Sequence, residues 1–340
     1  MSVWYKETQA DKPAIISSRI RLARNVKGIP FPKRMNNTQK TEFLDSVKNI
    51  LDGVSLEGIG ILKFFNLSDI PEEEQAAMVE RHIISPDFAQ KSGPRGLVIS
   101  QDETLSIMLL EEDHIRIQAL FGGAQLDAAF SVATKAEELI SKEFNIAFDE
   151  QLGYLTECPT NLGTGLRASV MLHLPVMESA GQVTGLTDSV SKIGLTVRGM
   201  YGEGSGSRGA LYQLSNQVTL GISEKAAIEN LKAITNQIIE REMTLRTQMD
   251  SVATEDSVYR ALGILKFARS LSSEEMMKLI SRVKLGVSMG ILKGVDPAVP
   301  MTVLVETQAA TLQKNYGRMT PKDRDVLRAK IIRELFSQSV

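Results

Sequence analysis

The stretch IISSRIRLAR, residues 15–24, decides the fold. Ile16, Ser18, Ile20 and Leu22 alternate with Ser17, Arg19 and Arg21. A period of two is the signature of a β-strand, and it sends Arg19 and Arg21 to one face together. Residues 96–100 and 105–110 read as two short buried strands around a Gln101-Asp102-Glu103 turn, with residues 114–118 as a third. Residues 166–174, 190–198 and 210–220 read as strands on the same grounds. Helical periodicity marks residues 43–51, 72–82 (after Pro71), 126–144 and 224–250. Strands paired through turns, with helices beside them, predict an α+β fold built on an antiparallel sheet flanked by helices.

Past residue 250 the pattern changes. Residues 258–271, 273–292, 301–317 and 321–336 all read as helices, and no strand is predicted. Ser272 and Ser273 before Glu274 and Glu275 are a helix start signal. So is Thr320-Pro321-Lys322-Asp323, an N-cap followed by proline and an acid. The polar residues 250–257 therefore mark the expected boundary between a first domain, residues 1–250, and an all-helical C-terminal domain, residues 251–340.

Composition limits the partners. Thirty-nine Lys and Arg stand against 41 Asp and Glu, for a net charge of -2. That balance gives no global attraction to nucleic acid or to an anionic membrane, so an anion site must be built locally. No apolar run is long enough to span a bilayer. The one cysteine excludes an internal disulfide framework and fits a reducing cytoplasmic setting. With three scattered histidines, it also makes no structural zinc site, and no metal-ligating residue is assigned.

The local clusters are informative. Arg19 and Arg21, Arg116 after Glu111-Glu112-Asp113, Arg167 at the start of RASVMLHLP, and Arg198 before GMYGEGSGSRG are candidates to meet around phosphate oxygens. Arginine's rigid fork of donors suits them. Each taken alone is equally a solvated side chain on a strand. Glu111 and Glu112 end a buried strand, and Glu203 sits between glycines that allow a loop to close over a ligand. Gly204, Gly206 and Gly209 match GxGxxG, but a strand-like ALYQLSNQ follows where a dinucleotide fold needs a helix. Cys158 lies in the loop ECPTNLGTG.

SSRIRLAR, EEDHIRI, ECPTNLGTGLRASVMLHLP and TVRGMYGEGS, in that order, resemble the phosphagen (guanidino) kinase superfamily. The resemblance implies a catalytic domain of the phosphagen kinase, glutamine synthetase-like kind, with ATP and Mg2+ as cofactors. It implies nucleotide contacts from Ser18, Arg19, Ile20, Arg21, Leu22, His82, Arg116, Arg167, Ala168, Ser169, Val170 and Met171. Arg198, Gly199, Met200, Tyr201, Gly202 and Glu203 complete that set. Glu112 and Glu203 are implied to hold a guanidinium, with Glu112 the better candidate for the base and Cys158 beside the guanidine nitrogens.

Small-molecule members of the superfamily place a helical domain before SSR. Here Ser17 is near the start, and the expected consequence is a site open to an arginine on a protein surface. The helical tail adds RDVLRA, residues 324–329, which fits the RDxxRA motif of bacterial protein arginine kinases of the McsB type. The resemblance implies that Arg324, Asp325, Val326, Leu327, Arg328 and Ala329 form an allosteric phosphoarginine site. Arg324 and Arg328 are i,i+4 neighbours at a helix N-terminus, which favours anions.

The activity implied is phosphorylation of arginine in proteins, marking them for Clp-type proteolysis and relieving heat-shock repression. The implied partners are a heat-shock repressor as substrate, an activator protein and a Clp ATPase. A homodimer or higher homo-oligomer is expected, with Met276, Met277 and Met289 open to either an interface or a core role. A kinase for free arginine or another small guanidine, and a phosphoarginine-reading adaptor, stay open as alternatives.

Overall fold

Alternation places Ile20 and Leu22 on one side of strand β1 (Ile15–Arg24), both fully buried, and Arg19 and Arg21 on the other. Each buried aliphatic side chain of this kind contributes about 1.5–3 kcal/mol, and this sets the strand's facing. The computed structural model describes residues 3–7, 12–199 and 209–337. The other strands are β2 (Ser55–Leu56), β3 (Gly60–Asn66), β4 (Gly96–Ser100), β5 (Leu105–Leu109), β6 (Ile115–Gly122), β7 (Phe148–Asp149), β8 (Gly153–Tyr154), β9 (Leu166–His173), β10 (Leu195–Gly199) and β11 (Leu211–Asn216). Nine of them form one sheet, ordered β10-β11-β9-β1-β6-β5-β4-β3-β2, with every neighbouring pair antiparallel. β7 and β8 pair separately.

The helices are α1 (Asn37–Leu51), α2 (Glu72–Glu80), α3 (Pro86–Gln90), α4 (Leu126–Ser141), α5 (Pro175–Ser179), α6 (Gln182–Ser191) and α7 (Glu224–Thr247). After them come α8 (Ser251–Phe267), α9 (Ser273–Ser288), α10 (Val299–Glu306), α11 (Ala309–Tyr316) and α12 (Pro321–Ser337). No helix among the described residues is long and apolar enough to cross a membrane. One sheet face is apolar. Ile20, Leu22, Ile117, Ala168, Val170 and Leu214 join one core with residues of α1, α4 and α7.

The opposite face is divided. Leu97 and Met108 lie with Met78 of α2 and Phe88 of α3 in a small cluster. Leu120, Met171 and Leu211 lie with Met276, Met277 and Ile280 of α9 in a larger one. Met276 and Met277 are thus core residues. α9 crosses α8 closely, and a Cβ at Gly286 would fall 2.3 Å from Val258 Cγ1. Between the two clusters the face is polar.

Several expectations are corrected. Residues 190–198 are not one strand. Val190 and Ser191 close α6, whose Val183, Leu186 and Val190 reach the main core, and Gly194 (φ 76°) turns the chain into β10. Residues 301–317 are two helices rather than one. α11 restarts at Ala309, where the Glu80 carboxylate accepts the N–H groups of Ala310 (2.8 Å) and Thr311 (2.7 Å). Such a carboxylate caps orphan donors that a continuous helix would not expose. Residues 250–257, where the boundary is expected, include the start of α8: Asp250 caps it, accepting from Ala253 N at 2.8 Å, and the helix begins at Ser251. Ser272 and Thr320 cap α9 and α12 as their sequences predict.

Candidate active site

The ladder fixes which side chains share the polar face. Arg19 lies opposite Ser169, and Arg21 opposite Arg167 and Gln118. Ala23 faces Arg116. Ser169 pairs with Ser215, and Met171 with Gln213, which pairs with Arg198. Side chains directly opposite each other point the same way. Arg19, Arg21, Arg116, Arg167 and Arg198 therefore stand on one face of five adjacent strands. Ser18, Ile20, Leu22, Ala168 and Val170 lie on the other face by the same rule. Ser18 donates to Gly123 O (2.8 Å) behind the sheet, and the other four are core. A strand's period of two lets only alternate members of the expected nucleotide runs reach a ligand with their side chains.

Few carboxylates balance this field. Arg19 donates to Gln213 Oε1 at 2.6 Å and, at 3.4 Å, to Ser169; Arg167 donates to Ser215 at 3.2 Å. The Arg21 Nε is buried with no hydrogen-bond partner among the described residues. Burial first, then Arg167 and Arg116, pulls Arg19 down to about 10. Burial, then Arg19, Arg116 and Arg167, push Arg21 well below its ordinary value. Such a cluster is costly when empty and is relieved by an anion.

His82, in a left-handed conformation (φ 63°) after α2, lies over the same face. Its carbonyl accepts from Gln118 (2.8 Å), and its ring is 5.8 Å from Trp4. Burial, then Arg19, lowers it to about 3, so the ring is neutral.

The acids behave differently from one another. Just after β5, Leu110 (φ 62°) turns the chain so that Glu111 goes inward. Glu111 accepts from Arg116 (2.6 Å), Ser85 (2.7 Å) and the Glu112 N–H (3.0 Å). It is a positioning residue for Arg116. Glu112 is 35% exposed and 3.7 Å from Arg116 Nη2. Burial, then Asp113, raises its pKa. A carboxylate that is partly exposed and more basic than usual suits a proton acceptor.

Asp113 Oδ1 accepts from Asn25 (2.7 Å) and from the Glu157 N–H (2.8 Å), which ties the cysteine loop to this turn. The glycines of that loop are structural. Gly163 (φ 100°) passes Thr219 so closely that a Cβ would lie 2.1 Å from its carbonyl oxygen. The loop brings Cys158, bonded to Thr160 at 3.0 Å, beside Glu157, and leads into Arg167. Gly199 ends β10. Met200, Tyr201, Gly202 and Glu203 lie outside the described residues.

The RDxxRA residues sit elsewhere. Arg328 is 1% exposed and donates to Thr307 O (2.9 Å), Leu271 O (2.7 Å) and Asp325 (2.5 Å). The two arginines of the expected clasp, Arg324 and Arg328, thus stand in different surroundings. Arg328 spends its donors on carbonyls supplied by α10 and the turn before α9, whereas Arg324, Asp325 and Leu327 are half-buried, Val326 is exposed and Ala329 is core.

Sequence reasoning missed Gln213, Ser215, Gln118 and Ser85. The alternation in the strand over residues 210–220 carried a signal for the first two.

Comparison with known proteins adds family evidence. Residues 42–245 match the ATP:guanido phosphotransferase C-terminal catalytic domain. Residues 251–339 match the protein-arginine kinase McsB C-terminal domain. A protein-arginine kinase of Halothermothrix orenii is 43% identical over 98% of this chain and 96% of its own length. One from Clostridium kluyveri is 45% identical over 94% of each. Among solved structures, lombricine kinase superposes with a TM-score of 0.61 at 24% identity, over 73% of this chain and 71% of its own. The duplicated taurocyamine kinase of Schistosoma mansoni gives 0.63 at 24% identity, over 93% and 42%.

Proposed function

The chain belongs to the ATP:guanido phosphotransferase family, in its protein-arginine kinase branch, and we infer that it moves the γ-phosphoryl group of ATP onto arginine side chains of other proteins. The observation that carries this reading is the single face shared by five arginines, with Glu112 held at its border by Arg116.

Arginine is a poor nucleophile because it is protonated. With a pKa of roughly 12.5–13.8, exposing a lone pair at pH 7 costs about 7–9 kcal/mol. In the proposed reaction Glu112 aligns the guanidinium and takes its proton. The freed nitrogen attacks the γ-phosphorus in line, the bond to the β,γ-bridging oxygen breaks, and ADP leaves. Arg19, Arg21, Arg116, Arg167 and Arg198 hold the phosphates and stabilise the charge on the transferring group. Phosphoryl passes directly to nitrogen, and Cys158 is assigned no covalent role.

Mg2+ would enter on the nucleotide, where it would neutralise phosphate charge. Among the described residues no group of three or more His, Cys, Asp or Glu is arranged to hold a metal ion, and no protein ligand for it is assigned. Catalysis is assigned to residues 1–250, and regulation by phosphoarginine to residues 251–340, with Arg324 and Asp325 as its accessible charges. Delivery of the product to a Clp ATPase, a heat-shock repressor among the substrates, an activator protein, a homo-oligomer and a cytoplasmic location extend the reading by family resemblance.

The test is phosphoarginine mass spectrometry under non-acidic conditions, because the P–N bond is acid-labile. Enzyme and MgATP are incubated with a basic protein or with free arginine. Phosphoarginine in the protein supports the reading. Phosphorylation of free arginine alone overturns it.

A further inference from the structure

The border of the acid turn is cationic, and the reaction above does not use those charges. Three segments meet there. The first precedes α1 and is tied to the turn by His114. That ring accepts from Val26 N at 3.0 Å and donates to Pro30 O at 2.7 Å. This segment carries Lys33 and Arg34, both exposed, and leads to Lys40 in the first turns of α1. The second segment is the end of α3, where Lys91 reaches over the turn to donate to the carbonyls of Leu110 (3.5 Å) and Glu111. The third is the cysteine loop, where Glu157 pairs with Lys33 at 2.8 Å.

The charges do not cancel. Lys33 is within electrostatic reach of Glu112 and Cys158, and Lys91 of Lys33 and Lys40. Glu111 is engaged by Arg116, Asp113 is buried on Asn25 and the Glu157 N–H, and Glu112 is the acid reserved for the guanidinium, which leaves Glu157, paired with Lys33, as the remaining acid near Lys33 and Lys91. A rim of this sign repels the arginine that the site is meant to receive. It becomes useful only when the incoming guanidinium travels with negative charge beside it.

Resting on the protein-substrate reading, we propose that Lys33, Lys40 and Lys91 are specificity-determining residues that read a carboxylate next to the target arginine. The substrates selected are protein segments in which Asp or Glu flanks Arg. The rim gathers around the turn that carries Glu112. It acts on encounter and on orientation of the segment, while Glu112 grips the guanidinium. The same chemistry is offered by the α-carboxylate of free arginine, so the test includes that source.

kcat/KM is measured at saturating MgATP for three peptides carrying one arginine, flanked by Asp, Asn or Lys, and for free arginine. The acidic peptide is expected to exceed the neutral one by about tenfold at low salt, and the lysine-flanked one to fall below both. The acidic-to-neutral ratio is expected to shrink severalfold at about 0.5 M salt, where screening is short-ranged. In Lys33→Gln with Lys40→Gln the ratio is expected to fall towards one while the neutral peptide is turned over as before; a merely structural loss would lower both peptides alike. Equal rates for acidic and neutral peptides overturn the proposal. So does a ratio insensitive to salt, a result that needs no variant. Turnover of free arginine with none of any peptide overturns the protein-substrate reading itself.

Discussion

Replacing Arg19 by Met is expected to make the nucleotide-free protein more stable and to remove most of its response to ATP. Arg19 is held at about 10 instead of 12.5, by burial first and then by Arg167 and Arg116. The difference corresponds to about 3 kcal/mol of disfavoured charge. The group's folded value is the depressed one, so at pH 7, below both values, the penalty is present in full. It fades only as pH rises through 10 towards 12.5. Water reaches the half-buried guanidinium, which reduces the penalty to about 2 kcal/mol. Against this, Met forfeits the 2.6 Å bond to Gln213 and the long one to Ser169, about 1 kcal/mol together. The net gain is about 1 kcal/mol, or roughly 2–4 °C in Tm. Wild type at 100 times its Kd for ATP is stabilised by about 2.7 kcal/mol. Losing a charged donor worth about 3 kcal/mol weakens binding roughly 100-fold, leaving about 0.4 kcal/mol at the same ATP concentration. Scanning calorimetry with and without MgATP measures both quantities. A variant that melts below wild type without nucleotide, yet keeps the full ATP shift, would refute the idea that repulsion is stored in this face for the phosphates to relieve.

Glu112→Gln is expected to lower kcat by at least two to three decades. Wild-type kcat/KM is expected to fall on acidification with a midpoint above the ordinary glutamate value, because the basic form is the reactive one and its pKa is raised; a midpoint at or below that value counts against Glu112 as base. His82 is expected to give no NMR titration step between pH 5 and 8. Its folded value near 3 also means that stability declines as pH drops from 6.5 towards 3, where the unfolded chain takes up a proton first; a ring titrating near 6.5 contradicts its burial beside Arg19. Arg328→Ala is expected to cost about 3–5 kcal/mol by leaving Thr307 O and Leu271 O unpaired. Arg324→Ala should cost under about 0.5 kcal/mol while blunting any activation by phosphoarginine. Denaturation curves and rates against added phosphoarginine separate the two, and equal stability losses would refute the distinction.

The first half of the site was legible wherever its signal was local. Alternation along residues 15–24 put Arg19 and Arg21 on one face correctly, because period two is a property of the strand alone. That Arg116, Arg167 and Arg198 share the face depends on the register of β6, β9 and β10, which distant pairing sets; only family resemblance reached it. Spacing likewise revealed Arg324 and Arg328 as neighbours but not that Leu271 and Thr307 would bring carbonyls to Arg328. The helix break near residue 307 was hidden because its cause, Glu80, lies more than two hundred residues away. Glu111 and Glu112 look alike in sequence. They part because a left-handed Leu110 sends one inward to Arg116 and leaves the other partly exposed.

The same alternation explains why the helical tail belongs to the site's architecture. Going along β9, side chains on the polar face run Arg167, Ser169, Met171, His173. The first meets Ser215, the third enters the core shared with α9, and the last bonds Ser281 of α9 at 2.8 Å. Leu120 on β6 and Leu211 on β11 repeat the change from polar to apolar at the same end of the sheet. Beside the cluster under α2 and α3, this face thus carries both the arginines and a seat for the C-terminal helices. At about 3.3 Å per residue the two lie within roughly 20 Å of each other. A sheet that exposed five arginines without such a seat would also expose Leu120, Met171 and Leu211. The helices cover those residues, and under the proposed function they would bound how far along the sheet a nucleotide lies.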